Sequence, residues 1–235
     1  IKNLFDKTNV FFKLNEDEIK QGKTFLDSIG LSKNAKFICL NVREGAYHKE
    51  KKFHNYRNGD VNKFLSGCEE LTKLGYYIFR MGSKPVAKLR STNKMIIDYA
   101  SNGMRTEFLD LFLGNQCEFC ISTSSGFDSI PIVSRKPMLF ITVPVGYFYT
   151  FSKNYMTITK HHFDKKTGRK LTIEEIFKRN VGFSLNSNEF KDNDILLEHN
   201  SEDELKNLFI EFHERFFKGI KFQNEDELSK KFWNM

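Results

Sequence analysis

The chain has 235 residues, 40% of them hydrophobic and 29% charged, with a formal net charge of +7. This composition excludes a disordered polymer and fits a soluble globular protein. The excess of cations favours anionic partners such as phosphates, nucleic acid or an acidic membrane surface, without choosing among them. The longest apolar stretch, Met138 to Phe151, is interrupted by Pro144 and Gly146 and is too short to span a bilayer.

In chain order, Glu16 to Ser28 reads as an amphipathic helix with Asn15 as N-cap and Gly30 as its stop. Phe37 to Val42 reads as a buried strand, followed by a polar loop from Arg43 to Gly59. Asp60 opens a helix with apolar residues at Val61, Phe64, Leu65, Cys68, Leu71 and Leu74, closed by Gly75. Tyr76 to Met81 forms a second strand, Met95 to Asp98 a third, and a helix begins near Arg105. Glu118 to Ser122 is the fourth strand, Ser125 to Ser134 a helix, and Met138 to Val143 the fifth strand.

Continuous apolar strands alternating with helices predict an α/β fold, a Rossmann-like parallel sheet with helices on both faces. Beyond it, Tyr155 to Thr159 and Ile195 to Leu197 read as short strands and Ile173 to Arg179 as a short helix. Ser201 to Lys218 is a helix with a capping box, and Glu225 to Trp233 a last helix. The expected organisation is an N-terminal helical extension (1–35), an α/β domain (36–200) and C-terminal helices packing back on it (201–235).

The cysteines are Cys39, Cys68, Cys117 and Cys120. Cys117 and Cys120 have the spacing of half a zinc site, but no second pair follows. Positions i and i+3 of a strand also face opposite sides. Core thiols in a reducing compartment are the expectation. No signal peptide is read, and the chain, which starts at Ile1, reads as an excerpt.

In open parallel sheets, ligands sit beyond the carboxyl ends of the strands. That rule selects Arg43 after the first strand, Arg80 with Gly82 and Ser83 at the second, Arg105 after the third, and Ser122, Thr123, Ser124, Ser125 and Gly126 after the fourth. A hydroxyl-rich helix start offers unpaired N–H groups and a positive dipole end to phosphate. Arginines on the same rim suit a diphosphate. The alternatives stay open: Ser124 as a simple N-cap, Gly126 as a packing residue, Arg43 and Arg80 as solvated loop residues. Arg57 and Asp60 either hold a ligand or order their loop. Glu44, His48, His54 and Asp128 are the candidates for proton transfer. Tyr147, Phe148 and Tyr149 either stack on a ring or pack under a loop. A P-loop, a G-x-G-x-x-G and a G-x-S-x-G elbow are all missing, which argues against the common NTPase, dinucleotide and hydrolase readings.

Four stretches together carry a family resemblance: Val42-Arg43-Glu44; His54-Asn55-Tyr56-Arg57-Asn58-Gly59-Asp60; Leu74 to Gly82; and Thr123-Ser124-Ser125-Gly126 with Pro131 and Lys136-Pro137. Over about residues 35 to 180 the chain resembles a family of bacterial glycosyltransferases. Their GT-B-like donor-binding domain is related to those of fucosyltransferases and heptosyltransferases. The resemblance implies the C-terminal, nucleotide-sugar-binding half of a GT-B enzyme acting in cell-surface polysaccharide biosynthesis. It implies a nucleoside-diphosphate sugar as substrate, no cofactor, metal-independent chemistry, and a glycan or other acceptor. It further implies Arg43 on the β-phosphate and Ser124, Ser125 and Gly126 on the pyrophosphate. Arg57, Arg80, Gly82 and Arg105 are the secondary binding candidates, and Glu44 or His48 the base. The expected location is cytoplasmic, with peripheral contact at the inner face of the membrane and no nucleic-acid partner. A non-catalytic module that binds a nucleotide or sugar phosphate is the alternative.

Overall fold

A computed structural model describes residues 3–45, 52–142 and 151–220. Asn15 opens helix α1 (Glu16–Ser28) through a reciprocal capping box with Glu18, and Gly30 follows its end at φ +79°. Strand β1 (Phe37–Asn41) is buried at every position. Helix α2 (Leu65–Lys73) leads to β2 (Tyr77–Met81) and the short β3 (Ile96–Ile97). Helix α3 (Glu107–Gln116), capped by Thr106, leads to β4 (Cys120–Ser122), helix α4 (Ser129–Val133) and β5 (Met138–Thr142). Strand β6 (Tyr155–Thr159) completes one six-stranded sheet of order β3-β2-β1-β4-β5-β6, and every neighbouring pair in it is parallel.

Alternation along the strands builds a core on each face. Ile38, Leu40, Val42, Ile78 and Ile121 pack toward α2 and the last described helix, α7 (Glu202–Phe217), with Phe209 and Phe212 buried among them. Phe37, Cys39, Phe79 and Cys120 pack toward α1 and α3, with Leu26, Leu109 and Phe112. Gly67 allows α2 and α7 to approach: a Cβ there would lie 2.5 Å from the Phe209 ring. Between β6 and α7 lies a smaller unit. Its strands β7 (His161–Asp164) and β8 (Ile195–Glu198) are antiparallel, and helices α5 (Ile173–Lys178) and α6 (Ser187–Asp192) separate them. Its apolar centre of Leu171, Ile176, Val181, Phe190 and Ile195 takes in Tyr56 from the loop after β1.

The structure differs from the sequence reading at several places. The segment opened by Asp60 begins as a 3-10 turn, Val61–Phe64, before α2; Asp60 caps that turn by accepting the Asn62 N–H. Likewise Ser125 is followed by a 3-10 turn, Gly126–Asp128, before α4. Cys117 is the C-cap of α3 and not part of β4, so strand alternation does not govern it. It lies with Cys39 and Cys120 in one core, all three fully buried, and burial raises the thiols of Cys39 and Cys120. The helix read at Glu225–Trp233, the aromatic run Tyr147 to Tyr149 and His48 lie outside the described residues.

Candidate functional site

Strand order reverses between β1 and β4, so the loops leaving those two neighbours diverge to opposite sides of the sheet. At such a switch point an open α/β sheet leaves a crevice beyond its carboxyl edge. Here it is a cleft of about 890 Å³, within the range of about 300–1,000 Å³ common for small-molecule sites. Arg43, Glu44, His54 and Arg57 line it from the β1 loop, Gly82 and Lys84 from the end of β2, and Arg105 and Asp110 from the start of α3. Ser124, Ser125, Gly126, Phe127 and Asp128 line it from the turn after β4.

That turn is held by a buried polar network. The Ser122 hydroxyl donates to Asp128 Oδ1 at 2.6 Å, and Asn41 Nδ2 donates to the same oxygen at 2.8 Å and to Ser125 Oγ at 2.7 Å. The Ser125 N–H donates to Asp128 Oδ2 at 3.0 Å, and the Ser124 N–H to Ser122 Oγ at 3.0 Å. Ser124 takes the left-handed conformation, φ +66°, rare for a residue with a Cβ. Burial pushes the Asp128 carboxyl up to about 6, opposed by the Ser122, Asn41 and Ser125 hydrogen bonds and by the Arg57 charge.

The network changes which serine-turn groups can meet a ligand. Ser122 is fully buried and Thr123 nearly so, and the Thr123 hydroxyl accepts the Arg43 N–H at 2.8 Å. The side chains of Ser122 and Thr123, both expected on phosphate, are engaged within the turn itself. The amides of Ser124 and Ser125 likewise already have acceptors. The N–H groups of Gly126 and Phe127 have no hydrogen-bond acceptor among the described residues, and a Cβ at Gly126 would meet nothing within 4 Å. Both residues line the cleft, and the first amides of a helical turn have no partner within it.

The arginines divide in the same way. Arg80 is only 1% exposed; it pairs with Glu44 and with Asp98 at 2.7 Å, and donates to Ser101 Oγ and the Ala87 carbonyl. Glu44 in turn accepts the Val86 and Ala87 N–H groups. Arg80, expected on phosphate, and Glu44, expected as base, are thus held by these partners. Each is the other's partner, and both side chains are buried. Arg105 lines the cleft but its guanidinium holds Asp110 at 2.6 Å, while burial raises the Asp110 carboxyl. Gly82 lies at φ +142°, where the chain turns off β2 with the backbone open to the cleft.

Arg43 and Arg57 remain as the facing cations. Arg43 donates to the His54 carbonyl at 3.2 Å and to Asn58 Oδ1. Partial burial and then the Arg57 charge lower its guanidinium from the usual value. Two cations brought into mutual repulsion in one crevice are the arrangement expected of an anion site. Arg57 lies 5.7 Å from the Tyr56 ring centre, makes no ion pair among the described residues, and has a buried Nε without a hydrogen-bond partner there.

Sequence reasoning missed Asn41 and Lys160. Asn41 carried a signal, since a polar residue closes an otherwise apolar buried strand. Lys160 carried none. It follows β6, is nearly buried, and donates to the Tyr56 carbonyl at 2.8 Å and the Asn58 carbonyl at 2.7 Å, the peptide oxygens on either side of Arg57. Burial and the Arg43 charge lower its amine to about 8. Ser187 at the start of α6 accepts the Tyr56 N–H, so the smaller unit braces the arginine loop from behind.

Among the described residues no group of three or more His, Cys, Asp or Glu is placed to hold a metal ion. No helix there is long and apolar enough to cross a membrane. No protein-family model and no curated protein matches the chain. Among solved structures, the chain is similar to glycosyl transferase family 9 from Veillonella parvula DSM 2008, with 14% identity and a TM-score of 0.46. It is also similar to the E. coli ADP-heptose LPS heptosyltransferase II, with 12% identity and a TM-score of 0.44. Each likeness covers 85% of this chain and 53% of the other, so the chain spans about half the length of these structures.

Proposed function

We propose that this chain is the donor-binding half of a GT-B-type glycosyltransferase, which moves a sugar from a nucleoside diphosphate to a glycan or other acceptor without a metal. The observation that carries the reading is the convergence of Arg43, Arg57 and the Gly126–Phe127 amides on one cleft at the strand-order reversal. As the bond from the sugar to the diphosphate breaks, negative charge develops on the departing phosphate oxygen. Guanidinium and amide donors already fixed toward that point stabilise it with little reorganisation. Arg57 supplies the charge without an ion-pair partner to displace. Arg43 supplies a second cation, and also ties the Asn58 side chain, which fixes the loop carrying both. Asn41, Ser122 and Asp128 act from beneath by holding the turn.

A thermal-shift panel of nucleoside diphosphates tests this. A diphosphate present at about 100 times its dissociation constant stabilises the fold by about 2.7 kcal/mol, a rise of about 5–11 °C for a chain of this size. A screen of the nucleotide sugars whose diphosphates shift the melting point then separates transfer from binding alone. Stabilisation by no diphosphate contradicts the donor site, and binding without hydrolysis or transfer supports a non-catalytic nucleotide module.

A further inference from the structure

We propose that the segment from Lys88 to Lys94, between β2 and β3, docks the acceptor, and that the acceptor is a linear glycan with repeated negative charges. This deepens the donor reading above and rests on it. Residues 84–94 contain Lys84, Lys88, Arg90 and Lys94, no carboxylate and no aromatic residue. Exposure alternates along the segment. Lys88, Arg90, Thr92 and Lys94 face solvent, while Leu89, Ser91 and Asn93 are half-buried. Residues 88–93 run without a bend, so Lys88, Arg90 and Thr92 follow one another about 7 Å apart on the solvent side before the turn that carries Lys94. Lys84 lines the proposed donor cleft and precedes Lys88 by four residues.

The row is held in place from behind. The Leu89 N–H donates to Asp98 Oδ2 at 3.4 Å and the Arg90 N–H to Asn62 Oδ1 at 2.8 Å, and Asn62 Nδ2 donates to the Lys88 carbonyl at 3.2 Å. Ser91 Oγ and Asn93 Nδ2 donate to Glu69 at 3.1 and 2.6 Å. The neighbouring carboxylates, Glu44, Glu69 and Asp98, thus turn inward to Arg80, to backbone amides and to these side chains. Lys88, Arg90 and Lys94 form no ion pair among the described residues. Uncompensated charges on an anchored backbone lose little freedom on binding an anion.

The shape selects the partner. A single file of cations matches a chain-like polyanion better than the plane of a bilayer, and Val86 is the one exposed large hydrophobic residue between 82 and 95. Without aromatic side chains the segment offers no platform for stacked bases. Carboxylate and sulfate groups share the needed chemistry, so the probes must separate them.

Fluorescence polarisation with labelled oligogalacturonate and dextran sulfate tests the proposal. Maltooligosaccharide, anionic phospholipid vesicles and single-stranded DNA serve as comparisons. The triple variant K88A/R90A/K94A changes exposed side chains only, and its circular dichroism and its thermal shift with nucleoside diphosphates should match the wild type. The expected result is an affinity for at least one anionic glycan that falls about tenfold or more in the triple variant, since three charges at about half a kcal/mol each amount to that factor. Equal affinity of the triple variant, binding to none of the glycans, or preference for vesicles, DNA or the neutral sugar overturns it. Absence of a diphosphate shift in the wild type strikes the donor reading instead, and is seen in a separate assay.

Discussion

Arg80 and Glu44 form an ion pair beneath the cleft, their side chains only 1% and 7% exposed. In sequence, both looked like site residues, one a phosphate ligand and the other a base. In the fold they serve the loop after β2. Glu44 fixes the Val86 and Ala87 amides, and Arg80 fixes the Ala87 carbonyl together with Asp98 and Ser101.

Removing one member of that pair leaves the other charge buried. Arg80→Ala should cost about 3–5 kcal/mol of folding stability, read as a lowered urea midpoint. Glu44→Gln keeps an oxygen acceptor and should cost less. A normal midpoint in Arg80→Ala, with loss of diphosphate binding alone, would return Arg80 to the ligand site.

Asp128 gives stability a pH dependence of defined sign. Burial raises its carboxyl from 3.8 to about 6 in the folded chain, so between those values the native state holds a proton that the unfolded state has released. The contribution is complete below about pH 4 and is lost as pH rises through about 6, by at most about 3 kcal/mol. Asp128→Asn should flatten this part of the profile while weakening the cap on the Ser125 amide by about 1 kcal/mol. Urea midpoints taken from pH 4 to pH 7 for both proteins decide it, and an unchanged slope in the variant assigns the proton elsewhere.

Lys160 should act on binding more than on folding. Lys160→Met removes two charge-assisted hydrogen bonds to the carbonyls flanking Arg57 and at the same time removes a buried ammonium. The two effects oppose each other, and the net stability change is expected within about 2 kcal/mol. Diphosphate affinity should fall about tenfold as the loop loosens, roughly the weight of one hydrogen bond to a charged group. The same substitution in an Arg57→Ala background should have little further effect, because the two act through one contact. Additive losses in that double variant would show that Lys160 acts independently of Arg57.

The strands were legible because their apolar runs lie in a sheet covered on both faces, as Phe37–Asn41 and Met138–Thr142 show. The rim was legible because chain order in a parallel sheet places every βα loop at one edge, which brought Arg43, Arg57, Gly82, Arg105 and Gly126 into one cleft. Which arginine is left without a carboxylate partner was not legible. That depends on partners far along the chain: Asp98 for Arg80, Asp110 for Arg105, and Lys160 behind Arg57. Nor could local sequence show that Asn41, Ser122 and Asp128 would close on one another, since parallel pairing of β1 with β4 brings them together across more than 80 residues.

The most direct measurement is a calorimetric titration of the panel's best nucleoside diphosphate into the wild type, Arg57→Ala and Arg43→Ala/Arg57→Ala. Saturable one-site binding is expected, weakened at least tenfold in the single variant and absent in the double variant, with urea midpoints little changed for Arg57→Ala. Undiminished affinity in the double variant would contradict the donor site.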